Sequence, residues 1–305
     1  MGKRENSPQK PATERRNPRS RGLDLLTTHQ ILKLINDEDA RVAPAVRRVI
    51  PAIEHAVELA VARLSSGGRL FTVGAGTSGR LGVLDAVEWR PTFGVPASTA
   101  TGIIAGGRRA LTRAVEGAED ADGAADLRAA GVCAGDIVVG ISASALTTFV
   151  RTALIWAKAQ GCSTVLLCCS RIARPTFADV LINPVAGPEV VAGSTRMKAG
   201  TATKMVLNML STAVMVRLGK VYDNLMVDVR PTNAKLRRRA IGLIEAVGRV
   251  PAKRAGTLLD EAGGNTKAAI VMASLGCSST KARVLLRKHD GKLRDVLSNE
   301  VKEEP

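Results

Sequence analysis

Aromatic side chains are scarce: Phe, Trp and Tyr make up 2% of the 305 residues. Single-stranded nucleic acid is gripped by stacking bases on aromatic rings, so this composition excludes a base-stacking surface. No zinc-finger or RNA-recognition signature is present either. No run of about eighteen apolar residues exists, the length needed to span a bilayer, so no membrane partner is expected. The N-terminus, MGKRENSPQKPATERRNPRSRG, has no apolar segment behind its charges and does not read as a secretory signal. The five cysteines (Cys133, Cys162, Cys168, Cys169, Cys277) follow neither metal-ligand nor disulfide-framework spacing. Cys168 and Cys169 end an apolar run, VLLCC, that reads as buried thiols. These absences are expected of a soluble cytoplasmic protein.

What is present in excess is positive charge, +16 in all. It is concentrated at the ends: residues 1–22 hold seven Lys/Arg against two Glu, and residues 235–294 hold fourteen against four acids. The middle of the chain is nearly neutral. Non-specific attraction to polyanions at low salt follows; a dedicated nucleic-acid partner does not.

The centre of the sequence is Leu70–Pro96, LFTVGAGTSGRLGVLDAVEWRPTFGVP. A short β-branched run, Leu70–Val73, reads as a buried parallel strand. It breaks at Gly74-Ala75-Gly76-Thr77-Ser78-Gly79, and a helical pattern resumes at Leu81, Val83, Leu84 and Val87. Strand, glycine turn and helix start in that order make an anion site, because the helix N-terminus offers unpaired N–H groups and a partial positive charge. Gly76, Thr77 and Ser78 are its candidate ligands, and the two hydroxyls suit a phosphate monoester. The glycines fit the dinucleotide fingerprint G-x-G-x-x-G. However, the polar Thr-Ser pair fills the spacer, and Ser98–Gly107 (STATGIIAGG) lacks the acid that would hold a ribose.

Strand-like runs recur at Arg69–Val73, Ser98–Ile104, Ile137–Ser142, Ser163–Cys169 and Val180–Asn183, with helical patterns between most of them, including Arg109–Glu116, Ala121–Ala130 and Phe149–Gln160. Such alternation predicts an α/β fold, a doubly wound parallel five-stranded sheet covered on both faces. Ligands then sit beyond the carboxyl ends of the strands, which puts the glycine loop and the Ser142–Thr148 segment on one edge. Thr27 or Thr28 is expected to cap a first helix that Asn36–Asp39 interrupts, and Pro51 to open a further one. Ser194, Thr195, Arg196 and Lys198, further candidate substrate- or phosphate-binding residues, cluster at the entry to a long Met-rich helix that Gly219 stops. The expected organisation is a disordered basic tail over 1–22, N-terminal helices over 23–56, a ligand-binding sheet domain over 57–230 and a small C-terminal helical domain over 231–305. Within the last, residues 254–297 read as a three-helix unit.

Several motifs then agree in order. GAGTSGRLGVLDAVE at 74–88, PTFGVP at 91–96, GIIAGG at 102–107, AVEGAED at 114–120, GSTRMKAGTA at 193–202 and GKVYDNLMVDV at 219–229 resemble the N-acetylmuramic acid 6-phosphate etherase family. That family carries a sugar isomerase (SIS) domain and shares its fold with the regulators of glucokinase. The resemblance runs from TERRNPRS, at Thr13, to the C-terminal helices.

It implies cleavage of the D-lactyl ether of N-acetylmuramic acid 6-phosphate to N-acetylglucosamine 6-phosphate and D-lactate, a step of cell-wall sugar recycling. An ether is a poor leaving group. Opening the sugar ring gives a C1 aldehyde that acidifies the C2 proton, so a base and an acid of opposite protonation state can eliminate lactate before water adds, with no metal or organic cofactor. The family pattern puts the acid on Glu88 and the C2 base on Glu119; from the residues alone, Asp85, Glu116 and Asp120 are equally eligible. It also implies a homodimer and phosphate contacts from Ser142, Ser144 and Thr147. Here the chain departs from the family's Ser-x-Ser-Gly-Arg-Thr-Pro loop, with Ala145 for the Gly and Leu146 for the Arg, and Trp89-Arg90 replaces Cys-Pro. Ala145 is expected to restrict a left-handed turn, and Leu146 to remove a cation. A non-catalytic sugar-phosphate sensor and an aldose–ketose isomerase are the competing readings.

Overall fold

The computed structural model describes residues 11–229 and 231–300. The chain divides into two compact units. One runs up to Val87 and takes in Ser98–Ser211; the other combines Glu88–Ala97 with the chain from Thr212 onward.

In the first unit, Thr27 caps α1 (Thr28–Asp39) in a capping box with Gln30. Asn36–Asp39, expected as a break, instead forms the last turn of that helix. Next come α2 (Val42–Arg47) and α3 (Ile50–Ser65), which has Pro51 in its first turn, where a missing N–H costs nothing. The sheet follows: β1 (Leu70–Gly74), β2 (Ala100–Ile104), β3 (Ile137–Ile141), β4 (Ser163–Leu167) and β5 (Val180–Ile182), all parallel in the order β2-β1-β3-β4-β5. Every residue of β1, β3 and β4 is buried, which is why these segments read as continuous apolar runs rather than alternating ones. The connecting helices are α4 (Gly76–Phe93), α5 (Gly123–Ala129) and α6 (Thr148–Ala159), and α7 (Lys198–Arg217) is the long Met-rich helix that stops before Gly219 at φ +70°.

This strand order reverses direction at β1, with β2 on one side and β3 on the other. Connections leaving β1 and β3 therefore diverge and open a crevice at the carboxyl edge. Glycine sets how closely α4 lies on the sheet. A Cβ at Gly79 would meet the Gly74 carbonyl oxygen at 2.5 Å, and one at Gly82 would meet Thr72 Oγ1 at 2.7 Å. At the opposite edge Asp136 ties the starts of β1 and β3 together, accepting from the Arg69 amide at 2.8 Å and from the Arg69 guanidinium at 2.7 Å. Burial alone would raise the Asp136 carboxyl, but Arg69 and two backbone amides hold it below the usual range.

Two further expectations fail in this unit. Arg109–Glu116 is not an α-helix; a 3-10 turn over Gly107–Leu111 is all that forms, between Gly106 and Gly107 in left-handed conformation and an irregular exposed stretch. With Ala110 its one buried residue, the segment has no apolar face to hold a helix down. Nor do residues 11–22 behave as a disordered tail, while residues 1–10 lie outside the described part. Thr13 and Asn17 are buried, and Asn17 Nδ2 donates to Glu38 Oε2 at 2.9 Å and to the Pro188 carbonyl at 3.2 Å.

The second unit contains a two-strand hairpin, β6 (Val221–Tyr222) and β7 (Leu225–Met226), followed by α8 (Ala234–Gly248), α9 (Ala252–Glu261), α10 (Thr266–Leu275), α11 (Ser279–Lys288) and α12 (Leu293–Glu300). α10 is buried from Thr266 to Met272, and the apolar faces of the other four helices gather around it. The three-helix unit expected over 254–297 is thus part of a five-helix cluster.

Candidate functional site

Three loops converge at the carboxyl edge of the sheet. Register places Gly74, the last residue of β1, beside Ile104 of β2 and Ile141 of β3. Ala75 after β1, Ala118 on the loop after β2 and Ala145 on the loop after β3 all pack on the apolar cluster of Phe71, Val73, Phe149 and Val150. One apolar cluster thus supports the glycine loop, the turn that carries Glu119 and the Ser142–Thr147 loop. Gly200, in the first turn of α7, is also near: a Cβ there would lie 3.7 Å from Thr77 Cγ2.

The chemistry of this edge is that of an anion cradle. α4 starts at Gly76, at φ +53°, and α6 starts after Thr147, whose side chain does not cap the helix. Thr147 Oγ1 is instead hydrogen-bonded to Ser142 Oγ at 2.8 Å, so that pair keeps one O–H to donate to a ligand. Ser144 Oγ accepts from the Leu146 amide at 3.2 Å, which leaves its own proton free to donate. The hydroxyls of Thr77, Ser78, Ser194 and Thr195 and the exposed Arg196 guanidinium have no hydrogen-bond or ion-pair partner among the described residues. Ala145 adopts the left-handed turn after all, at φ +66°, and Leu146 is 68% exposed where the family places a cation.

Lys198 is the correction. Its ammonium is buried against Glu38 and the Ala186 carbonyl, so it faces away from a solvent-borne anion. The reason is the N-terminal arm, which the sequence reading treated as loose. Ser20 Oγ donates to the Val190 carbonyl at 2.7 Å and the Gly193 amide donates to the Thr13 carbonyl at 3.0 Å, so the arm clasps the loop before α7. Glu38 then sits under that loop as the counter-ion of Lys198. Burial would raise the Glu38 carboxyl, but Lys198, Asn17 and Arg41 hold it low.

Sequence reasoning also missed Glu189. It is buried, and its carboxylate accepts from the amides of Lys198 at 3.0 Å and Ala199 at 2.9 Å. The N-terminus of α7 is therefore already filled by an acid, whereas the N-cap residue of α6 makes no side-chain cap. An acid some nine residues before a helix start, in GPEVVAGSTRMK, was the available signal, but nothing in its spacing marks a cap.

The two carboxylates assigned to catalysis are placed differently. Glu119 is exposed on a short turn, Ala118–Asp120, next to the anchored Ala118. Glu88 is exposed on α4, twelve residues beyond Gly76; at 1.5 Å per residue that is about 18 Å along the helix. One chain thus does not bring Glu88 to the glycine loop through its own helix. The rivals separate as well: Asp85 is buried and accepts from Ser211 Oγ at 3.0 Å, whereas Glu116 and Asp120 are exposed.

Cys162 and Cys168 are pushed up to about 11 and Cys169 to about 12 by burial, so these thiols stay protonated. Among the described residues no group of three or more His, Cys, Asp or Glu is arranged to hold a metal, and no single helix is long and apolar enough to cross a membrane. A cavity of about 830 Å³ in the second unit is lined by none of the candidate site residues. Its acids are internally paired, Asp260 with Arg237 at 2.7 and 2.8 Å and Asp228 with Lys220 at 3.3 Å.

Comparison with known proteins finds relatives over nearly the whole chain. Residues 52–158 match the family described as glucokinase regulatory protein N-terminal SIS domain. N-acetylmuramic acid 6-phosphate etherase of Edwardsiella ictaluri is 50% identical over 93% of this chain and 96% of its own length. N-acetylmuramic acid 6-phosphate etherase 1 of Bacillus licheniformis is 48% identical over 94% of this chain and 95% of its own. Among solved structures, a phosphoheptose isomerase from Francisella tularensis is 16% identical, with a TM-score of 0.48 over 63% of this chain and all of that one.

Proposed function

The chain belongs to the N-acetylmuramic acid 6-phosphate etherase family, and from that we infer that it is a carbon–oxygen lyase releasing D-lactate from N-acetylmuramic acid 6-phosphate. The observation that carries this is an identity near one half sustained over more than nine-tenths of the chain. The anion cradle at the carboxyl edge of a doubly wound sheet agrees with it.

The 6-phosphate is assigned to the open ends of α4 and α6, with hydroxyls from Thr77, Ser78, Ser142, Ser144 and Thr147. Ser194, Thr195 and Arg196 close the other side. Gly76, in left-handed conformation, lets the backbone approach the ligand. Lys198 has no part in this set.

The reaction assigned to this site has two halves. With the sugar ring open, Glu119 takes the C2 proton, the C3–O bond breaks, and Glu88 gives a proton to the departing lactyl oxygen. Water then adds to the unsaturated aldehyde, its oxygen to C3 and a proton to C2. Each residue ends as it began, and the net change is hydrolysis of the ether.

Glu88 also supports the assembly. A phosphate held at Gly76–Ser78 and an acid about 18 Å along the same helix are too far apart to act on one hexose phosphate. A second copy that supplies its Glu88 resolves this, so we assign the working form to a homodimer with shared sites. The activity is placed in the cytoplasm, in keeping with cysteines that are all free.

Lactate release from N-acetylmuramic acid 6-phosphate tests the reading. Turnover without added metal or nucleotide is expected; sugar-phosphate binding without lactate release would instead indicate a sensor.

A further inference from the structure

Arg80 ends the motif GTSGR and stands in the second turn of α4, just behind the glycine loop. Its guanidinium does not reach forward to the anion cradle. It leaves the helix sideways, with Nε donating to the Leu111 carbonyl at 3.3 Å and Nη2 to the Arg113 carbonyl at 3.1 Å.

Those carbonyls belong to the stretch where the expected helix fails to form. Residues 111–114 are exposed, as are Glu116 and Gly117, and the backbone hydrogen bonds made by this stretch are local ones, such as Thr112 and Arg113 N–H to the Arg109 carbonyl. Among the described residues, the two bonds from Arg80 are the hydrogen bonds that tie 111–117 to a distant part of the chain. At the end of this stretch Gly117 turns left-handed, at φ +69°, into the short turn that carries Glu119.

We propose that Arg80 is a positioning residue for the proton abstraction: it hangs the Glu119 loop from the same helix whose first turn holds the substrate's phosphate. Phosphate anchor and C2 base are thereby set at a fixed separation by one rigid element. A planar guanidinium is suited to this, since it offers donors in a fixed fork to two carbonyls at once. An ordered base matters because a displacement of about 1 Å at the reacting centre costs on the order of a hundredfold in rate. The proposal rests on the reading of Glu119 as the C2 base.

The test uses the full chain and its Arg80→Ala, Arg80→Lys and Glu119→Gln variants. Lactate release, exchange of the C2 proton with D2O, inhibition by inorganic phosphate and amide exchange by mass spectrometry are measured on each. Arg80→Ala is expected to lower kcat and C2 exchange together by about 10- to 100-fold. KM and the inhibition constant for inorganic phosphate should stay within about threefold, and amides 112–121 should exchange faster while β1 and β3 stay protected. Arg80→Lys, which keeps the charge but not the fork, should fall between, and it carries the test if the alanine variant does not fold. Unchanged kcat and loop protection in the Arg80 variants, with Glu119→Gln inactive, would overturn the positioning role and leave the base intact. A tenfold or larger rise in the phosphate inhibition constant with normal kcat would make Arg80 a phosphate ligand and also overturn it. Full C2 exchange in Glu119→Gln would remove the base reading itself, whatever Arg80 does.

Discussion

The Glu189 carboxylate accepts hydrogen bonds from the amides of Lys198 and Ala199, at 3.0 and 2.9 Å, and so closes the N-terminus of α7. Two effects compete there. Burial favours the neutral acid, and the two amides with Lys198 favour the carboxylate; burial is the larger, and the Glu189 carboxyl is raised. A raised carboxyl binds its proton more tightly folded than unfolded. Its contribution to stability is therefore greatest at low pH and falls as pH rises from the unfolded value through the folded one. Wild type should lose ground against Glu189→Gln as pH rises through and above the ordinary glutamate range, because the glutamine does not titrate. Thermal unfolding of the two proteins across that range checks this. A gap that moves the other way would mean that the α7 amides win, and that the carboxylate is a strong helix cap.

The loop after β3 gives a second prediction. Ala145 holds φ +66°, which costs a Cβ-bearing residue about 1 kcal/mol or more relative to glycine. Ala145→Gly should raise stability by roughly 0.5 kcal/mol, the relief of strain being partly offset by the freer unfolded chain. Leu146→Arg, added to it, restores a cation beside Ser142, Ser144 and Thr147. One charge-assisted hydrogen bond contributes about 1.5–3 kcal/mol, so substrate affinity should rise about 10- to 100-fold. KM and the inhibition constant for inorganic phosphate should both drop, with kcat little changed. No gain in either would take the phosphate away from this loop.

Sharing of Glu88 between copies predicts complementation. Glu88→Gln and Glu119→Gln should each lose at least about a hundredfold in lactate release. Glu88→Gln should retain some C2 proton exchange, since the base is present; Glu119→Gln should not. Mixing the two under conditions that exchange subunits should restore about a quarter of wild-type activity, because half the dimers are mixed and one of their two sites is intact. Failure to complement, in a preparation shown to contain mixed dimers, would put both glutamates in one chain's site.

Much of this was legible in the sequence, for identifiable reasons. The sheet strands were found because burial on both faces makes them unbroken apolar runs, as at Ile137–Ile141. The glycine loop was found because Gly74, Gly76 and Gly79 serve backbone conformation and close packing, which no other residue provides. Arg109–Glu116 misled because its pattern was helical while its surroundings offered nothing to pack against. Lys198 misled for the reverse reason: a basic residue in a polar cluster read as a ligand, but its counter-ion, Glu38, lies 160 positions away. The same holds for the arm at Asn17 and for Arg80, whose partners are backbone carbonyls that leave no mark in the sequence.

The central claim is that the ether opens by elimination and hydration at C2 and C3, and isotopic labelling of one turnover tests it most directly. N-acetylmuramic acid 6-phosphate is converted in D2O enriched in oxygen-18, and both products are examined by mass spectrometry and NMR. The account predicts oxygen-18 on C3 of N-acetylglucosamine 6-phosphate, deuterium on its C2, and lactate that keeps its original ether oxygen. Oxygen-18 in the lactate hydroxyl, or product with no deuterium at C2, would contradict it.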